Sequence, residues 1–177
     1  NKTHYVDFDF DDGNDNTGWF IYDNIQWWTI TLARAYELFG VQEYRDLAEA
    51  SFTRVWYASP VVGDDGSYAD PERGLKGGMF GDWTPNSNPR PHTSTDGKMA
   101  CINFPTVVAA LTLYNNVPAE RPEDPNPESW EKDGRLFVRP HYETKDAYLA
   151  KGKEIYEWSV KNLVDLNMGE VADSRHG

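Results

Sequence analysis

The sequence predicts an all-α protein. Four stretches carry apolar residues at intervals of three and four, no stretch alternates convincingly like a half-buried strand, and the long connections between the helical stretches are rich in Gly, Pro, Asn and Asp. The chain has 177 residues, 39% hydrophobic and 14% aromatic, enough for one domain with a core of its own. A formal net charge of −12 argues against nucleic acid or an anionic membrane surface as partner, whereas a neutral polymer such as a glycan would not be repelled. No run approaches the roughly 18 apolar residues of a membrane span, so no membrane insertion is expected of this segment, and no signal peptide is legible. Cys101 is the only cysteine, which excludes an internal disulfide and a cysteine-rich zinc site; no metal or cofactor is expected.

The first segment, 1–18, reads as an acidic loop leading into a site. Asp7, Asp9, Asp11, Asp12 and Asp15 invite a calcium reading, but Asp12 stands where a calcium loop of the EF-hand type needs glycine, and no glutamate closes the loop. A helix follows. Ile25, Trp28, Leu32, Ala35 and Phe39 draw one apolar stripe, Asp23 or Asn24 is the expected N-cap, and Gly40 the stop. Trp27 points about 100° away from Trp28 and needs a second environment. Sugars supply one, because their C–H faces stack on indoles while carboxylates and amides take their hydroxyls. A second apolar surface between helix layers would serve Trp27 equally well.

After Gly40-Val41, a second helix is predicted over Gln42–Trp56 with Tyr44, Leu47, Ala48, Ser51, Phe52 and Val55 inward, packed antiparallel on the first. Residues 59–95 form a long loop region. Its Leu75-Lys76-Gly77-Gly78-Met79-Phe80-Gly81-Asp82-Trp83 segment combines glycines that permit close backbone approach with an acid between aromatics. It is either part of a site or a glycine-rich turn over the core. A third helix, Lys98 to Asn115, has Met99, Ile102, Val107, Ala110, Leu111 and Tyr114 as core candidates and a kink expected at Pro105. Lys98 and Asn103 either cap or face a ligand. Residues 116–143 read as a polar, proline-rich insertion anchored by Trp130. The last helix spans about Lys145 to Leu163, with Thr144 as cap and Tyr148, Ile155 and Trp158 inward.

Tyr22-Asp23-Asn24-Ile25-Gln26-Trp27-Trp28, then Leu32-Ala33-Arg34-Ala35-Tyr36-Glu37-Leu38, Gly77-Gly78-Met79-Phe80 and Lys98-Met99-Ala100-Cys101-Ile102-Asn103, in that order, resemble glycoside hydrolase family 76. Its members are endo-α-1,6-mannanases, built as an (α/α)6 toroid. The resemblance covers about Gly18 to Asp173. It implies a substrate of α-mannan or mannooligosaccharide and a secreted, periplasmic or cell-surface setting. Four helices make two hairpins, so the chain is expected to supply only part of the toroid and to pack against further chain of its own domain, since its indoles would otherwise be exposed.

On this resemblance Asp23 falls on the nucleophile of a retaining mechanism and Asn24 on the acid/base. An amide cannot give up and retrieve a proton near neutral pH, and losing general acid/base help costs a factor of about 10²–10⁴. Asn24 therefore implies an impaired hydrolase, carrying a deliberate Asp→Asn substitution or lending the role to Asp12, Asp15 or Asp82; the alternative is a non-catalytic glycan-binding homologue of a glycan-uptake system. Trp27 and Trp83 are expected to stack on sugar rings, and Asp82, Lys98 and Asn103 to hydrogen-bond mannosyl hydroxyls. Other toroid enzymes fit less well. An unsaturated-glucuronyl hydrolase wants a basic pocket, and an epimerase wants histidines poised in pairs, which His4, His92, His141 and His176 do not advertise.

Overall fold

A computed structural model describes residues 20–57, 68, 76–83, 97–132 and 134–175. Four helices dominate it: α1 (Tyr22–Phe39), α2 (Gln42–Trp56), α3 (Ala100–Asn116) and α4 (Lys145–Leu163). The second and fourth carry the bounds that periodicity predicts. Gly40 takes φ +66° just past α1, which lets two residues join α1 to α2. Thr144 caps α4 by accepting from the Ala147 N–H at 3.2 Å.

The side chains fix the directions of the helices. Near one end Gln26 Nε2 donates to Thr106 Oγ1 at 3.1 Å, and near the other Asn116 Nδ2 donates to Glu37 Oε1 at 2.9 Å, so α1 and α3 run parallel. At the start of α4, Lys145 Nζ donates to the Tyr114 carbonyl at the end of α3, so α4 returns alongside α3. The result is two antiparallel hairpins side by side. Phe52 and Val55 of α2, Ile102, Ala110 and Leu113 of α3 and Tyr148 and Ile155 of α4 close the core between them, all fully buried. Phe52 stacks on Trp56 and meets the Tyr148 ring edge-on at 5.3 Å between centroids.

Two expectations need correction. The buried line of α1 is Tyr22, Ile25, Gln26, Thr29 and Ala33, rotated from the predicted stripe; Trp28 is 51% exposed and Phe39 70%. The apolar pattern misleads because α1 meets its neighbours through small and polar residues: Gln26 is held by Thr106, and Thr29 Oγ1 returns its hydrogen bond to the Ile25 carbonyl at 3.1 Å. Second, strands are present. β1 (Phe20–Ile21) pairs with β2 (Asp82–Trp83), β3 (Lys98–Met99) with β8 (Ser174–Arg175), β4 (Glu128–Lys132) with β5 (Arg135–Arg139), and β6 (Val164–Asp165) with β7 (Glu170–Val171), every pair antiparallel. The dipeptide Asp133-Gly134 is the signal for the β4–β5 turn, and Gly134 has the positive φ of 73° that such a turn needs. Trp130 anchors this hairpin by stacking on its cross-strand partner Phe137 at 5.6 Å.

At the end where α3 finishes, charges are buried in pairs. Glu49 of α2, 1% exposed, bonds Arg121, accepts from the Tyr148 hydroxyl at 3.2 Å and lies 3.8 Å from Arg45 Nε. Burial pushes the Glu49 carboxyl pKa up, although Arg121, Arg45 and Tyr148 all pull it down. Tyr57 donates to Glu143 at 2.8 Å, and Lys151 lies 3.4 Å from the same carboxylate.

Candidate functional site

Because α1 and α3 are parallel, their first turns share one end of the bundle, and the family-like residues gather there. The chain enters α1 directly from β1, whose partner β2 sets Phe20 opposite Trp83 and Ile21 opposite Asp82. The Tyr22 N–H donates to the Gly81 carbonyl at 3.0 Å. Asp23 thus sits inside the first helical turn instead of capping it, and its Oδ1 accepts from the Asn24 N–H at 2.8 Å. Asn24 is exposed, and Trp27, 54% exposed, stands on the same open flank. Trp28 is open as well, contrary to its expected place in the core.

Across from Asp23 lies Cys101 in the first turn of α3. Burial, then the charge of Asp23 and a hydrogen bond to it, push the Cys101 thiol up to about 11, with Asp173 adding to the effect. Asp173 is fixed there because its carbonyl accepts from the Ala100 N–H at 2.7 Å, beside the β3–β8 pair.

Beneath these residues runs Gly77–Gly81. Gly77 and Gly78 have φ of +77° and +74°, and a Cβ on Gly78 would fall 2.6 Å from the Trp158 ring. The glycines therefore permit close approach, and what they approach is the indole of Trp158. Asn103 is fully buried with its amide spent on backbone: Oδ1 accepts from the Met79 N–H at 2.8 Å, and Nδ2 donates to the Met79 and Met99 carbonyls at 3.1 and 2.7 Å. Lys98, 3% exposed, donates to the Gly77 carbonyl at 2.7 Å with its ammonium 5.0 Å from the Phe80 ring centre and 5.7 Å from that of Trp158. Burial pushes the Lys98 pKa down to about 8. Both side chains are thus buried, with their polar groups on the loop backbone.

Asp23, Asn24 and Trp27 are therefore grouped in the opening turns of α1, with the Asp82–Trp83 strand beside them and Lys98 and Asn103 behind. Asp12, Asp15, His4, His92, His176 and the acidic segment with its calcium alternative lie outside the described residues. His141 is at the opposite end, its Nδ1 2.9 Å from Asp124. Sequence reasoning missed the roles of Cys101 and Trp158: only the parallel pairing of α1 with α3 sets residue 101 beside residue 23, and only the returning helix sets residue 158 under the glycines. An open cavity of about 530 Å³ follows the end of α4, lined among others by Lys161, Asp165, Glu170 and Arg175 and touching none of the α1 residues. Among the described residues no group of His, Cys, Asp and Glu is placed to hold a metal, and no helix is long and apolar enough to cross a membrane.

No protein-family profile and no curated protein sequence matches the chain. Solved structures do. An inactive variant of the α-1,6-mannanase GH76A of Salegentibacter sp. HEL1_6, with two consecutive aspartates changed to asparagine and α-1,6-mannotriose bound, is similar at a TM-score of 0.54 and 22% identity, covering 89% of this chain and 33% of that one. A second inactive variant of the same enzyme, with the aspartates changed to alanine and α-1,6-mannotetrose bound, gives a TM-score of 0.54, 22% identity and coverage of 89% and 32%. The structure of that enzyme without substitutions gives 0.53, 23%, 89% and 32%. The chain thus has the fold of part of a GH76 α-1,6-mannanase and spans about a third of the length of the structures it matches.

Proposed function

We propose that the chain provides the catalytic-end helices of a glycoside hydrolase-type toroid that binds α-1,6-mannan, with Asp23 in the nucleophile position and Asn24 in that of the acid/base. The observation that carries this reading is the pair Asp23-Asn24 in the opening turn of α1, next to an exposed Trp27, in a fold whose solved neighbour is described as inactive when two consecutive aspartates are replaced. In a retaining cleavage the Asp23 carboxylate attacks the anomeric carbon while a second group protonates the departing oxygen and then takes a proton from water. Asn24 can do neither. It can hold the glycosidic oxygen by a hydrogen bond, which favours binding with slow turnover and keeps a non-catalytic glycan-binding homologue as the second reading. Trp27 stacks on a sugar ring; the roles assigned to Trp83 as a second stacking ring and to Asp82 as a hydroxyl acceptor fall on side chains outside the described ones.

The same reading accounts for the exposed apolar flank of α1 and α3, where Trp28, Val108 and Leu111 are 51%, 45% and 37% exposed. Further helices of the same domain cover it, and the assembled protein works where extracellular mannan is met: secreted, periplasmic or at the cell surface. The test is hydrolysis of unbranched α-1,6-mannan by the assembled protein that contains this chain and by its Asn24→Asp form, with glycan binding followed by calorimetry. Binding by both with cleavage by Asn24→Asp alone, at a gain of about 10²–10⁴, is the expected result. Binding by both and cleavage by neither supports the binding homologue, and binding by neither removes mannan as the ligand.

A further inference from the structure

Lys98 and Asn103 have surrendered their polar groups to the Gly77–Gly81 backbone, and that backbone is what holds the start of α1. The links run in sequence. Trp158 of α4 is the surface on which Gly77 and Gly78 lie flush. Lys98 grips the Gly77 carbonyl, and Asn103 grips both polar groups of the Met79 backbone. Two residues on, the Gly81 carbonyl takes the Tyr22 N–H, the amide adjoining Asp23, and β2 pairs with the two residues that precede it. We propose that Gly77–Trp83 is a strap, and that Lys98 and Asn103 are positioning residues which act through it to fix Asp23 against Cys101.

Three features give the strap its stiffness. The Asn103 amide makes three hydrogen bonds in a fully buried site, so the loop cannot shift without leaving a buried polar group unsatisfied. Gly78 leaves no gap over the indole that would admit movement in that direction. Lys98 is 3% exposed with its Nζ 5.0 Å from the Phe80 ring centre and 5.7 Å from that of Trp158, which limits its rotamers. An Asp23 that swung by one rotamer would miss a reacting carbon by more than the tolerance of such chemistry. In its catalytic meaning the inference rests on the function proposed above; in its geometry it does not.

The test uses the single thiol as a reporter and needs no glycan. Iodoacetamide alkylation of Cys101 is timed in the native protein at pH 9 for the chain itself, Lys98→Met, Lys98→Arg and Arg121→Ala. Lys98→Met keeps an apolar stem but removes the grip. If the strap holds Asp23, that carboxylate withdraws, the thiol pKa drops from about 11 and alkylation accelerates at least about tenfold. Lys98→Arg, which restores a donor, stays near the parent rate, and Arg121→Ala, which weakens the opposite end, leaves it unchanged. Lys98, pushed down to about 8, is mostly neutral at pH 9, so loss of its charge alone would leave the rate unchanged. A slower or unchanged rate in Lys98→Met, or equal acceleration in Arg121→Ala, overturns the strap. Should Lys98→Met not fold by circular dichroism, Asn103→Ser, which breaks the same latch from its other side, is read by the same criterion. Failure of Asn24→Asp to cut mannan leaves this result standing, and an unmoved thiol sinks the strap even where Asn24→Asp is active.

Discussion

The two ends of the helix bundle are held by different means. Where α1 and α3 begin, the latches all end on backbone: the Asn103 side chain holds Met79, the Lys98 side chain holds Gly77, and the Gly81 carbonyl accepts from the Tyr22 N–H. Where α3 finishes, one backbone latch, Lys145 on the Tyr114 carbonyl, is joined by buried side chain-to-side chain bonds, with Arg121 and the Tyr148 hydroxyl both holding Glu49. Backbone latches fix where the chain runs to within the reach of one hydrogen bond. Ion pairs between long side chains tolerate small shifts and act mainly on whether the fold persists, since a charge stranded in the interior is costly. The comparison assigns geometry to one end and stability to the other.

Mutation can break this assignment. The largest effect is expected from Arg121→Ala, which strands Glu49 in its buried position and should lower the unfolding free energy by about 3–5 kcal/mol in urea denaturation, with glycan affinity unchanged below the melting transition. Gly78→Ala is expected to cost about 2–4 kcal/mol, combining a Cβ driven into Trp158 with a left-handed backbone. Unlike Arg121→Ala, it should also weaken glycan binding in calorimetry; equal affinity in both variants would erase the distinction between the ends.

A smaller effect concerns pH. The Lys98 pKa is about 8 in the folded protein against an ordinary value of 10.5, so between those values the unfolded chain binds the extra proton. Stability from this group therefore rises as pH climbs from about 8 toward 10.5, while Cys101, raised to about 11, acts in the opposite direction above 9. The difference between parent and Lys98→Met isolates the lysine. It should shift in favour of the parent over that window in thermal melts, and a flat difference would mean that Lys98 is not desolvated.

The sequence revealed the helices more fully than their faces. Gln42–Trp56 and Lys145–Leu163 were legible because each is bounded by local chemistry: a glycine turn before one, the Thr144 cap before the other. The burial of α1 was not legible, since a helix whose buried line contains Gln26, Thr29 and Ala33 does not follow hydrophobicity, and Trp28 was assigned inward on that basis. At the candidate site, Asp23-Asn24 and Trp27 stand out in the sequence by residue type, and the structure sets them together in the opening turns of α1. The bonds of Lys98 and Asn103 to the glycine loop are not legible, because a polar residue near a glycine loop reads the same whether it faces sugar or backbone. Trp158, some eighty residues from the glycines it supports, leaves no local trace.

The β4–β5 hairpin has a consequence of its own. A two-stranded ribbon is marginal in water, and this one relies on the Trp130–Phe137 stack with Arg135 and Arg139 over the rings, while Leu136 remains 72% exposed. The helices behind it share a continuous core in which the hairpin has little part. It is thus free to open by itself, as a separate cooperative unit with a lower free energy than the bundle. Limited trypsin treatment would cut at Arg135 before it cuts within any of the four helices, and the nicked protein would hold α4 to the other three through the core alone.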